Sequence, residues 1–338
     1  MADLPHGTSL RNRVAVRLFG GASGGVFRGM ATLALGSGVG RMIGIAAIPV
    51  LTRLYTPEDF GLLAAFTALV QILIPLVTLR YLVALPLPRN DRIAFALLVL
   101  CLAVALAFSA VIGAVLYAFG PTLFGWFSME KLVPFWWLLA LGILGASIYE
   151  TLTMWATRKR AYRVIARTQI VQSVAGEGLK VLLGLLAVKP LGLLAGQVAG
   201  HSGGLSRLLA TFWQDYRMLR RGLRWRHVRL VAWRYRGFPA YRLPAQFLLV
   251  FSIQAPLLFA AWLYDAETTG QLGLAMMAIL LPMSIIGVAI SKSFYAEIAD
   301  RKNQRSHLSS LLNTTAFLFL ATLCISLPLS IFSSTLFL

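Results

Sequence analysis

The amino-acid sequence predicts an all-α polytopic membrane protein of about nine transmembrane helices, built as two parallel repeats of which the second is incomplete. Three observations carry this expectation. The chain of 338 residues is 58% hydrophobic, and its apolar residues gather into stretches of about 20, long enough at ~1.5 Å per residue to cross a ~30 Å hydrocarbon layer. Its 31 Lys+Arg against 12 Asp+Glu fall mostly in alternate gaps between those stretches. A short signature also recurs at an offset of 209 residues, and such internal repeats are the first thing to seek in a chain.

Taken in order, the predicted spans are 30–51, 61–87, 93–118, 132–156, 164–188, 191–213, 245–263, 270–291 and 308–329. The gaps that face the cytoplasm when the N-terminus is inside hold 24 Lys+Arg: four in 1–29, two in 88–92, five in 157–167, nine in 214–242 and four in 292–307. The gaps on the other side hold three, Arg53, Lys131 and Lys189. That asymmetry is the positive-inside bias, and it predicts a cytoplasmic N-terminus. A net charge of +19 dispersed over five loops argues against nucleic acid, whose binding needs charge gathered on one patch. Topology and contact with anionic membrane lipids account for it instead.

Other signals are weak. Residues 1–29 hold no apolar core of the signal-peptide kind and read as a short basic interfacial segment. Cys101 and Cys324 both sit inside apolar spans, so no disulfide framework is implied. His6, His201, His227 and His307 show no metal-ligand spacing. Gly36, Gly38 and Gly40 lie within a predicted helix, the wrong setting for a dinucleotide loop, and the sequon Asn313-Thr314-Thr315 falls inside a predicted span.

Between spans one and two the chain reads LYTPEDFGLL, with Tyr55, Glu58 and Gly61; between spans seven and eight it reads LYDAETTGQL, with Tyr264, Glu267 and Gly270. Six spans separate the copies, an even number, so both halves enter the membrane from the same side as parallel repeats. The predicted organisation is a basic N-terminal segment 1–29, a six-helix lobe 30–213, a basic linker 214–242 and a three-helix partial lobe 243–338. Linker arginines alternate with Trp225, Trp233 and Tyr235, which suits a segment at headgroup level; a docking site for a cytoplasmic partner is the second reading. The same offset would carry a complete second half beyond Leu338. The expectation is therefore a fragment, a frameshifted gene or an incomplete chain, with a nine-span protein as the alternative.

Ionisable side chains at the bilayer centre cost ~2.5–3.5 kcal/mol each on insertion scales, so five residues stand out. Arg41 is mid-span in helix one, Arg80 lies in the inner half of span two, Glu150 lies toward the inner end of span four, and Glu177 and Lys180 are one turn apart in span five. Arg41 is about 16 Å from either end of its span, too far to snorkel, and is expected to face a protein cavity. Arg80 and Glu150 either snorkel or face interfacial water. Glu177 and Lys180 form an i,i+3 pair, read either as a structural ion pair or as a carboxylate that exchanges a proton or Na⁺ beside a substrate-holding cation. With three positive and two negative charges, a cavity shared by all five favours an anion. Gly36, Gly40 and Gly44 give helix one a small-residue face for close packing.

The run IPVLTRLYTPEDFGLLAAFTALVQILIPLVTLRYLVALPLPRND closely resembles the start of the Wzx-like polysaccharide flippases of the multidrug/oligosaccharidyl-lipid/polysaccharide (MOP) exporter superfamily. The segment RGFPAYRLPAQFLLVFSIQAPLLFAAWLYDAETTGQLGLAMMAILLPMSIIGVAISKSFYAEIAD resembles the start of that family's second lobe. The similarity covers most of the chain from about residue 28. The resemblance implies a MATE-like fold of two six-helix lobes around a cavity that opens alternately to each side. It implies residence in the bacterial inner membrane and transfer of an undecaprenyl-pyrophosphate-linked oligosaccharide to the outer leaflet for surface polysaccharide such as O-antigen or lipopolysaccharide. It further implies partnership with a polysaccharide polymerase and other assembly proteins, no cofactor, and proton or Na⁺ coupling. A cation-lined cavity is typical of such flippases. The intramembrane charges supply our assignment of it: Arg41, Arg80 and Lys180 for the pyrophosphate, Glu177 and Glu150 for ion coupling.

Three rivals are weighed against that reading. A membrane enzyme acting on the same lipid would need positioned catalytic groups, and the outward loops offer only the carboxylates Glu58, Asp59, Glu130, Asp265 and Glu267. A small-molecule exporter of the same superfamily is the second, with three intramembrane cations arguing against a cationic substrate. An inactive, truncated flippase remnant is the third.

Overall fold

A computed structural model describes residues 22–125 and 129–277, with side chains from Thr32 onward, and every regular element among them is helical. The predicted span 308–329, most of 270–291, Cys324, His307 and the sequon lie outside the described residues. The helices are α1 (Ala22–Leu54), α2 (Pro57–Thr78), α3 (Asp91–Gly125), α4 (Trp136–Arg158), α5 (Tyr162–Leu185), α6 (Leu191–Ser202), α7 (Leu205–Thr211), α8 (Trp213–Arg220), α9 (Trp225–Arg234) and α10 (Leu243–Leu263). An eleventh, α11, starts at 266 and is described to 277.

Among the described residues, five helical segments are long and apolar enough to cross a membrane: Thr32–Leu54, Pro57–Thr78, Asp91–Gly125, Glu130–Arg158 and Phe238–Leu263. The chain is thus an all-α polytopic membrane protein. Helix α5, predicted as a span, is not among them, because Gln169, Gln172, Glu177 and Lys180 dilute its apolar character. The predicted single span 191–213 is broken in two. Gly203 and Gly204 separate α6 from α7, and Gly204 takes a left-handed φ of 82° that a helix cannot continue.

The second span needs a larger correction. Helix α2 stops at Thr78, and Leu79 and Arg80 adopt left-handed φ values of 45° and 54°, after which a 3₁₀ turn runs over Tyr81–Ala84. Arg80 therefore sits on the turn that ends the helix, not within a continuous span to residue 87.

The repeat signature builds the same local structure twice. Thr56 N-caps α2: its hydroxyl accepts from the Asp59 N–H at 3.3 Å, and the Asp59 carboxylate accepts from the Thr56 N–H at 3.0 Å, a reciprocal capping box. At the start of α11 the two residue types change places, and the Asp265 carboxylate accepts from the Thr268 N–H at 2.9 Å. The Thr268 hydrogen bonds hold the Asp265 carboxyl below its ordinary range.

The two copies also touch. A Cβ placed on Gly61 would overlap the carbonyl oxygen of Ala266, and one placed on Gly270 would overlap the carbonyl oxygen of Pro57. Ala266 stands 209 residues after Pro57, as Gly270 does after Gly61, so each contact is the image of the other. One turn further in, Ala64 faces its own counterpart, Gly273. Helices α2 and α11 thus cross at a local two-fold axis, with backbones as close as only glycine permits.

Loops gather by parity at the two ends of the bundle. At one end, Lys131 before α4 pairs with Glu58 at the start of α2, and a cavity of about 410 Å³ is lined by Glu58, Glu130, Lys131, Asp265 and Glu267. At the other end, Asp91 pairs with Arg158 at 2.7 Å and Lys159 at 2.9 Å, and Lys159 reaches Asp215 at 3.4 Å. Arg158 also donates to the carbonyls of Pro86 and Pro88, holding the α2–α3 connection onto α4. The first end is acid-rich and the second basic. Each has its own apolar cluster, around Tyr55, Phe66 and Leu139 at the acidic end and around Leu82, Leu97 and Trp155 at the basic end.

Candidate functional site

The five intramembrane charges of the sequence analysis are positioned by α1, the turn after α2, α4 and α5. Helix α5 is the polar centre. On one side it packs along α1: the Ser37 hydroxyl donates to Gln169 Oε1 at 2.8 Å, a Cβ on Gly36 would meet Ala166, and a Cβ on Gly40 would meet the Ser173 hydroxyl. Gly44, the third member of the predicted small-residue face, has open space beside it, so close packing uses only the first two. On its other side α5 forms an antiparallel hairpin with α6, drawn together where Gly176 meets Gly200.

Lys180 lies in that hairpin. Its side chain is 7% exposed and its ammonium donates to Glu177 Oε1 at 2.9 Å, with Glu177 21% exposed. Gly196 of α6 makes room for it, since a Cβ there would overlap the Lys180 side chain. The Tyr55 hydroxyl donates to the Lys180 carbonyl at 2.7 Å, and Tyr55 itself is buried between Gly184 and Gly192. The repeat signature and the buried cation are therefore one hydrogen bond apart. Gly196→Val is expected to evict the Lys180 side chain and to lower the melting temperature in detergent through overpacking of about 1–3 kcal/mol. An unchanged melting curve would show that the hairpin tolerates the added side chain.

Arg80 and Glu150 form the second pair, at 3.2 Å, with side chains 17% and 32% exposed. The other guanidinium nitrogen of Arg80 donates to Gln246 Oε1 at 3.1 Å. Gln246 belongs to α10, in the second half of the repeat, so Arg80 ties the two halves together. Arg41 belongs to neither pair. Its Nη1 is buried and has no hydrogen-bond partner among the described residues.

The structure thus divides the five charges among three places: two cation–carboxylate pairs, and Arg41, which joins no ion pair among the described residues. The cavities at the acidic and basic ends are lined by other residues. Sequence reasoning missed Gln246 and the glycines of α6. The four-residue spacing of Gly192, Gly196 and Gly200 was the available signal for the latter, whereas nothing local marks Gln246. Among the described residues no group of His, Cys, Asp and Glu is placed to hold a metal ion.

Compared with known proteins, the chain matches over residues 50–336 the family model described as "Polysaccharide biosynthesis protein". No curated protein and no solved structure matches it.

Proposed function

Since the chain belongs to the polysaccharide biosynthesis protein family, we propose that it is the flippase of that process and not an enzyme. It moves an undecaprenyl-pyrophosphate-linked oligosaccharide from the cytoplasmic to the outer leaflet of the bacterial inner membrane. In this reading the basic end faces the cytoplasm, which the positive-inside bias supports. The observation that carries the reading is Arg41: a guanidinium within a span, with a buried nitrogen that no acceptor among the described residues satisfies. Such a group is costly until an anion arrives, and a pyrophosphate supplies that anion.

The two ion pairs fit the same cycle. Glu177 and Glu150 hold Lys180 and Arg80 in the resting protein. A proton or Na⁺ taken up by either carboxylate releases its cation toward the pyrophosphate, so coupling ion and substrate favour one another's binding. Movement of one half against the other then exposes the headgroup on the far side, while the polyprenyl chain stays in lipid. The products feed surface polysaccharide assembly, with a polymerase as the next enzyme to receive them.

The test is transport of a labelled polyprenyl-pyrophosphate oligosaccharide into inverted membrane vesicles. Loss of a hydrogen bond to a charged group costs about 1.5–3 kcal/mol, so Arg41→Ala is expected to slow transport about 10- to 100-fold, with Arg41→Lys retaining more. An unchanged rate at equal protein level would discard the reading.

A further inference from the structure

Helices α8 and α9 form most of the predicted linker, and both are amphipathic. Val228 and Val231 of α9 are buried, while Trp213, Trp225 and Trp233 stand 63%, 77% and 65% exposed. The inner face of α8 docks through aromatic rings: Tyr216 lies 6.2 Å from Phe95 of α3 and 5.9 Å from Trp155 of α4, centroid to centroid. Above this floor opens a cavity of about 400 Å³, lined by Phe95, Trp213, Tyr216, Arg217, Arg220 and Arg221.

Its charge is unbalanced. Arg217, Arg220 and Arg221 join no ion pair among the described residues, and the two carboxylates that line the neighbouring cavity with Arg221 are already engaged, Asp91 by Arg158 and Lys159, Asp215 by Lys159. Burial acts to lower the Lys159 ammonium, but Asp91 and Asp215 outweigh it and hold that group above its ordinary value. Both acids are thus committed to a cation other than the three arginines. An external anion is what the rim lacks.

Depth identifies the anion. Phe95 lies four residues into α3 from Asp91, about 6 Å along the helix axis, which is headgroup level if α3 spans the bilayer. The exposed indole of Trp213 at the cavity, and those of Trp225 and Trp233 on α9, favour that same layer. A guanidinium binds a phosphodiester through paired, charge-assisted hydrogen bonds, and an aromatic floor receives the glycerol and upper acyl carbons. We propose that Arg217, Arg220 and Arg221, over Phe95 and Tyr216, form a binding site for the headgroup of an anionic glycerophospholipid. The site includes none of Arg41, Arg80 and Lys180 and is independent of which lipid the protein moves.

Native mass spectrometry of the full chain, offered equal phosphatidylglycerol and phosphatidylcholine, tests this. Wild-type protein retains phosphatidylglycerol preferentially. The variant Arg217→Gln/Arg220→Gln/Arg221→Gln retains at least about tenfold less, one factor of ten being ~1.4 kcal/mol. The variant Arg224→Gln/Arg226→Gln/Arg229→Gln loses the same charge from exposed positions nearby and keeps its lipid. Equal loss in both variants would mean diffuse charge attraction and overturn the proposal, as would no loss in the first. Displacement of phosphatidylglycerol by polyprenyl pyrophosphate would overturn it too, by making the pocket a substrate site. Should the triple variant not fold, Arg220→Gln must still retain less phosphatidylglycerol than Arg226→Gln.

Discussion

Gly61→Leu is expected to abolish transport while leaving a folded protein in the membrane, and Gly270→Leu is expected to do the same. Each glycine lies against a carbonyl of the opposite repeat, with no room even for a Cβ. A leucine therefore forces α2 and α11 apart, an overpacking cost of about 1–3 kcal/mol. If the protein works by alternating access, this crossing is the closed state of the acidic end, and the bulky variants hold that end open. Ala65, buried at 3% exposure, lines the adjoining cavity and reports on this directly. In a background with Cys101 and Cys324 replaced, Ala65→Cys is expected to react faster with a membrane-impermeant maleimide when Gly270→Leu is present. Equal labelling rates with normal transport would show that the crossing does not open during the cycle.

The second large effect is expected at Arg80. Arg80→Ala leaves Glu150 without its cation and Gln246 without its donor. Both side chains of the pair keep some access to water, so the stability loss is set at about 1–3 kcal/mol, short of a fully buried pair. Adding Glu150→Gln removes the orphaned charge and is expected to restore most of that stability. Transport is expected to stay low in the double variant, because the cation is still missing. Recovery of stability and transport together would reduce Arg80 to a structural role.

Much of this was legible in sequence because membranes impose simple rules. Apolar length and basic loops predicted an all-α membrane protein and the sorting of loops by parity, and a three-residue signature marked a repeat, though not the contact its glycines make. The failures share a cause. Leu79 and Arg80 end α2 by adopting left-handed backbone, and neither residue type marks that conformation, so apolar composition carried the predicted span past the break. In α6 the break has a visible signal, the pair Gly203-Gly204, but hydropathy averaging passes over it. The site was legible as a set of charges and not as an arrangement. The i,i+3 spacing of Glu177 and Lys180 is local and was correctly paired; Arg80 with Glu150 spans 70 residues and Arg80 with Gln246 spans 166, and no periodicity encodes such distances.

The crossing of α2 and α11 has the geometry of an interface between identical subunits: residue i of one copy touches residue j of the other, and j touches i. Linker helices α8 and α9 join covalently what this contact treats as a dimer. Fusion frees the two halves to differ, and they have. Arg41 and Arg80 correspond to Val250 and Ala289 in the second copy, so these two cations are not repeated there. A true dimer would carry every charge twice and face itself with like charges across the axis. A fused pair can keep the symmetric contact while placing such charges on a single side.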